Sequence, residues 1–135
     1  WLHRMRKRVG QGGQIVVVAD ACHSGDGTRG QEEEGWIVRG TSDNFVIPGG
    51  KVARKHTDYP IEWVSISACK PYQCNYEYRG MGSLTYALSE VSGQLGSLTG
   101  RQLQQHIRTT VKNVVPRTQT PVVDMPEEQR DNVIF

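Results

Sequence analysis

Nothing in the 135-residue sequence is long and apolar enough to cross a bilayer: the longest hydrophobic run, residues 15–19, is a fraction of the needed length. No signal-peptide pattern opens the chain either, so membrane association is not expected and a cytoplasmic location is the default reading. Cysteine is scarce. Three residues, an odd number without a dense framework, suit a reducing compartment better than a secreted disulfide scaffold. Charge is nearly balanced, with 16 basic against 14 acidic residues and a formal charge of +2, which does not point to nucleic acid as a partner. No internal repeat is present.

What is present begins at Trp1 with an amphipathic pattern already under way, which predicts that an upstream segment was removed and that the chain is the C-terminal portion of one domain spanning 1–135. Trp1, Leu2, Met5 and Val9 predict the end of a helix over residues 1–8, stopped by Gly10, Gly12 and Gly13. The run His3-Arg4-Met5-Arg6-Lys7-Arg8 can be read as an anion-binding patch, but cationic side chains in the last turn of a helix complement its dipole, and that reading is preferred.

Residues 14–19 form a β-branched apolar run, the pattern of a parallel strand buried on both faces in mid-sheet. From Ser24 to Pro60 the composition turns to glycine, proline and charge without either period, predicting a long loop over 26–60 with short strands at 35–38 and 44–47. Residues 61–67 predict a second buried strand, stopped by Pro71 and opening a smaller part over 61–135. Helices are expected over 82–91, with Leu84, Leu88 and Val91 on one face, and over 100–111, capped by Thr99 and burying Leu103, Ile107 and Val111. Residues 122–123 and 133–135 are candidate edge or docking strands. Strand, loop, strand, helix, helix, strand is the second half of an α/β sandwich with a mostly parallel central sheet.

In open α/β sheets function collects beyond the carboxyl ends of the strands, and Cys22 lies three residues past the first strand. Ala21, Ser24 and Gly25 beside it are small, which keeps the thiol accessible and lets a substrate backbone approach. The backbone N–H of Cys22 is the natural local donor to an oxyanion. A buried, inert cysteine is the competing reading.

The segment Val16-Val17-Val18-Ala19-Asp20-Ala21-Cys22-His23-Ser24-Gly25 resembles the nucleophile segment of metacaspases and bacterial caspase-like cysteine peptidases. The similarity resumes at Val64-Ser65-Ile66-Ser67-Ala68-Cys69-Lys70-Pro71-Tyr72-Gln73 and at Gly82-Ser83-Leu84-Thr85-Tyr86-Ala87-Leu88, with a looser match at Gln119-Thr120-Pro121. The resemblance implies a caspase-like three-layer α/β sandwich, a Cys-His dyad acting on peptide or protein substrates, and Cys22 as the nucleophile. The family's histidine sits in a His-Gly motif that this chain does not contain. His23 adjoins Cys22, but consecutive side chains leave the backbone in different directions, and His3, His56 and His106 are assigned no base role either. The partner histidine is therefore expected in an upstream segment.

The resemblance also places Asp20 in the pocket for the residue before the scissile bond and implies cleavage after Arg or Lys, since a carboxylate attracts a guanidinium. Asp20 as a structural hydrogen-bond acceptor stays open beside that role. Pro71 stands where many metacaspases carry a second pocket aspartate, and Glu77, the nearest acid downstream, is either its substitute or a solvated loop carboxylate. Ser67 at the strand end and Tyr72, Gln73 and Tyr76 beyond it are candidate groove residues by analogy of fold. Arg29, Arg39, Lys51, Arg54 and Lys55 make the 26–60 loop a candidate for self-processing. Cys69 and Cys74 lack the second ligand pair of a zinc site, so Cys69 is expected in the core and Cys74 in a loop; no metal, calcium cluster or organic cofactor is expected. The competing function is a caspase-like binding or scaffolding module that has lost catalysis, which the missing histidine also fits.

Overall fold

The structure, a computed structural model, describes residues 1–10, 12–21, 32–33, 36–37, 63–70 and 73–135. Helix α1 spans Leu2–Val9 and ends where Gly10 turns to φ +72°, a left-handed backbone that side-chain-bearing residues rarely adopt. Arg6, Lys7 and Arg8 fill its last turn, where their charge complements the free carbonyls, and Arg6 Nη1 donates to the Gly13 carbonyl at 2.7 Å. The His3 ring meets Trp63 edge-on at 5.4 Å, tying the helix to the residue before a strand.

That strand, β4 (Val64–Ser67), lies between β1 (Val16–Ala19), which is parallel to it, and β7 (Val122–Asp124), which is antiparallel. The described sheet is therefore mixed rather than mostly parallel, because the chain returns after its last helix through a short connection that reverses direction. The run at 14–19, expected in mid-sheet, forms β1 at the edge of this sheet, and Val18 is 46% exposed. An apolar run reports which side chains avoid water; it does not report strand order. Strand β4 alternates instead, with Val64 and Ile66 buried and Ser65 and Ser67 half-buried on the opposite face. Within the long-loop region, β2 (Glu32–Glu33) pairs antiparallel with β3 (Trp36–Ile37), the latter inside the short strand expected at 35–38. The expected strand at 44–47 lies outside the described residues.

Two helices cover the Val64/Ile66 face. Helix α2 (Ser83–Glu90) buries Leu84 and Ala87, and Val91 just beyond it is 6% exposed. Helix α3 (Gly100–Val114) buries Leu103, Ile107 and Val111 at four-residue spacing. Each such aliphatic side chain contributes about 1.5–3 kcal/mol by leaving water. The start of α3 is fixed by a capping box: Thr99 Oγ1 accepts from the Gln102 amide at 3.2 Å, and Gln102 Oε1 accepts from the Thr99 amide at 3.0 Å. Residues 133–135 form no sheet strand; Val133 makes a single antiparallel bridge to Thr99, and Ile134 enters the core. Among the described residues the fold is thus a small mixed α/β unit with its core between one sheet face and the α2–α3 pair.

Candidate functional site

The parallel pairing of β1 with β4 sets Ala19 opposite Ser67, so both strands deliver their carboxyl ends to the same edge, and the Ala68 amide donates to the Ala19 carbonyl at 3.1 Å. Among the described residues the ladder between these two strands has no further rungs beyond this point. Ala68 is fully buried there, and its carbonyl needs a donor.

Gln119, 5% exposed, supplies that donor from the segment between α3 and β7: its Nε2 reaches the Ala68 carbonyl at 3.0 Å, Asn75 Oδ1 at 2.9 Å and Ser83 Oγ at 2.7 Å. Its Oε1 accepts from the Tyr76 amide at 3.1 Å. Asn75 and Ser83 are both fully buried, and Ser83 Oγ donates to Asn75 Oδ1 at 3.2 Å. Asn75 Nδ2 then donates to Asp20 Oδ1 at 2.7 Å. The other carboxylate oxygen, Oδ2, accepts from the Thr85 amide at 3.1 Å and from the Thr85 hydroxyl. Asp20 is half-buried, with one oxygen turned to the buried amides and the other to exposed Thr85.

The hairpin ahead of α2 delivers Gly82 to this carboxylate. Strands β5 (Glu77–Tyr78) and β6 (Met81–Gly82) are joined by Arg79 and Gly80, both left-handed with φ +52° and +76°, as a two-residue hairpin turn of the primed type requires. Gly82 is the residue before α2, with φ −61° and ψ 144° and no side chain to cap the helix. A methyl group there would overlap the Asp20 carboxylate.

Asp20 is thus brought to the N-terminus of α2, where its charge meets the positive end of the helix dipole. Ser67 is half-buried at the end of β4. Gln73 is engaged within the fold: its Oε1 accepts from the Lys70 and Thr120 amides at 3.1 and 2.9 Å, and its Nε2 donates to Thr120 Oγ1 at 3.1 Å. Glu77 is half-buried in β5 rather than in a loop. Tyr76, considered for the groove, is 2% exposed and belongs to the core, because its backbone is drawn inward by Gln119 and Ser83. Cys69 is buried and donates to the Gln73 carbonyl at 3.3 Å; Cys74 is half-buried. Cys22, His23, Ser24, Gly25, Pro71 and Tyr72 lie outside the described residues, as do His56 and the candidate processing residues Arg29, Arg39, Lys51, Arg54 and Lys55.

Away from this end, the Arg101 guanidinium is held above its ordinary value, first by its hydrogen bond to Asp131 and then by that carboxylate's charge. Among the described residues no group of three or more His, Cys, Asp or Glu is placed to hold a metal ion, and no helix is long and apolar enough to cross a membrane.

Sequence reasoning singled out Asp20 but missed Asn75, Ser83, Thr85 and, as a site residue, Gln119. One signal was available: α2 begins after a glycine with no local capping side chain and no acid in its first turn, so its cap had to come from elsewhere. Compared with known proteins, the chain matches no family model, and no curated protein is significantly similar to it.

Proposed function

We propose that this chain is the C-terminal part of a caspase-like cysteine endopeptidase, a three-layer α/β sandwich in which Cys22 is the nucleophile. The observation that carries the reading is the pairing of β1 with β4: two parallel strands end side by side, and the first runs through Asp20 and Ala21 directly into Cys22. The fixed carboxylate of Asp20 at that edge supports it further.

A histidine from an upstream segment takes the Cys22 proton, and the thiolate attacks the scissile carbonyl carbon. The Cys22 backbone N–H steadies the oxyanion. Collapse expels the amine, protonated by the histidine, and leaves a thioester. Water, deprotonated by the same histidine, then releases the acid and regenerates the thiol. Asp20 favours Arg or Lys before the scissile bond: Asn75 and Thr85 donate to its carboxylate without neutralising the charge. The 26–60 loop, with its basic residues, is the segment the enzyme cuts in itself.

The test is an assay of the full-length protein on fluorogenic peptides ending in Arg, Lys or Asp, beside Cys22→Ala. Thiol-dependent cleavage after Arg or Lys that disappears in Cys22→Ala is the expected result. No thiol-dependent cleavage of any of the peptides would replace the peptidase by a caspase-like scaffold, and cleavage after Asp alone would remove Asp20 from the specificity role.

A further inference from the structure

We infer that Asn75 and Gln119 are positioning residues: through them the Asp20 carboxylate is held as the N-terminal cap of α2, and that cap anchors the strand end leading to Cys22. The functional half of this inference rests on the peptidase reading above; the cap itself does not.

The first turn of a helix leaves backbone N–H groups without partners, and the usual remedy is a Ser, Thr, Asp or Asn at the residue before it. Gly82 occupies that position and offers nothing. Asp20 makes the missing contact from a different strand, accepting from the amide of Thr85, the third residue of α2 and the one a local cap would serve. The bare α-carbon of Gly82 is what admits the carboxylate.

Its other oxygen is equally determined. Asn75 donates to it, and Asn75 cannot reverse its amide, because its Oδ1 already accepts from Gln119 and Ser83. Gln119 in turn is oriented by the Ala68 carbonyl on one side and the Tyr76 amide on the other. Each group is fixed by the next, so a residue far along the chain sets the geometry two residues from Cys22. Fully satisfied polar networks of this kind rigidify what they enclose, and a carboxylate displaced from its place meets a substrate guanidinium less well.

The experiment measures amide hydrogen exchange and peptide kinetics on the full-length protein for Asp20→Ala, Asp20→Ala/Gly82→Ser and Gln119→Met. Asp20→Ala should speed exchange about tenfold both at Thr85 and across residues 19–21. Adding Gly82→Ser supplies a local cap, so Thr85 protection returns while residues 19–21 stay fast. Gln119→Met should speed residues 19–21 and raise KM for the Arg-terminated peptide about tenfold with kcat little changed, a split that loss of stability alone does not produce. Should Gln119→Met not fold, Asn75→Ser, which keeps a hydroxyl for Gln119 but no longer reaches Asp20, is read in the same way.

Unchanged exchange at residues 19–21 in Asp20→Ala or Gln119→Met overturns the inference, and so does their full recovery with the local serine cap. Wild-type protein that cleaves no peptide overturns the peptidase reading instead, and the exchange data still decide the cap.

Discussion

Gly82→Ala isolates the contact between β1 and α2, because the backbone at Gly82, φ −61° and ψ 144°, is open to alanine. With strain absent, the substitution on its own would stabilise by about 0.4–1 kcal/mol through the unfolded chain. Against this stands the overlap of the new methyl with the Asp20 carboxylate, which must swing away. It then abandons Thr85, whose exposed groups turn to water at a cost of about 1 kcal/mol, and Asn75, whose buried Nδ2 is left short of a partner at about 1–3 kcal/mol. The net expectation is a loss of about 2 kcal/mol. For a chain of this size that corresponds to a melting temperature lower by about 6–8 °C.

Urea unfolding with an unchanged m-value is the assay, run as a double-mutant cycle with Asp20→Ala. In the Asp20→Ala background the methyl meets no carboxylate, so Gly82→Ala should there be neutral or mildly stabilising, giving a coupling of about 2–3 kcal/mol. A Gly82→Ala protein as stable as wild type, or a cycle with no coupling, would refute the placement of Asp20 over the helix end.

Thr99→Ala opens the capping box of α3 and should cost about 1 kcal/mol in the same unfolding assay. Asp20→Asn, though isosteric, should destabilise by about 1–2 kcal/mol, read from the urea midpoint, because one of its two polar atoms must face a donor. The Arg101–Asp131 pair raises the guanidinium's pKa, so its contribution is complete below the unfolded value and lost only in strong alkali; melting curves should show no step from this pair between mildly acidic and mildly basic pH. Mass spectrometry of the active protein should find cuts after one or more of Arg29, Arg39, Lys51, Arg54 and Lys55 that are missing from Cys22→Ala, and identical fragments from both would end the self-processing idea.

The elements that rest on local signals could be read directly from the sequence. Leu103, Ile107 and Val111 share one face of α3 because four residues make about one turn, and Thr99 caps it because its side chain needs only the adjacent amides. Strand order is not local: residues 14–19 have the composition of a central strand, yet among the described residues β4 takes the centre because β7 returns along its other side. The site divides the same way. Asp20 could be found beside its strand, whereas Asn75, Ser83 and Gln119 come from three separate segments, and none carries a pattern that announces burial. A buried asparagine or glutamine looks in sequence like one on the surface, since what distinguishes it is the partner delivered by the fold.

The network has a direction, and that direction governs how Asp20 can be interrogated. Gln119 Nε2 faces Asn75 Oδ1, and Asn75 Nδ2 faces Asp20, so the chain of amides presents only a donor to the carboxylate. The helix end presents donors as well, the amide and hydroxyl of Thr85. A position ringed by donors on both sides requires acceptors on both oxygens, which an ionised carboxylate provides and a carboxamide does not. The charge of Asp20 is therefore needed for packing whether or not a substrate ever reads it. A loss of Arg-directed cleavage in Asp20→Asn would carry little weight for specificity, because the strand end itself would have shifted. Asp20→Ala/Gly82→Ser separates the helix from the rest: with α2 capped locally and residues 19–21 still loose, activity that returns on Arg-terminated peptides assigns Asp20 to the helix cap alone. Activity that stays lost while α2 is restored assigns it to the strand end or the substrate pocket, and Gln119→Met, which loosens the strand end but keeps the carboxylate, tells those two apart.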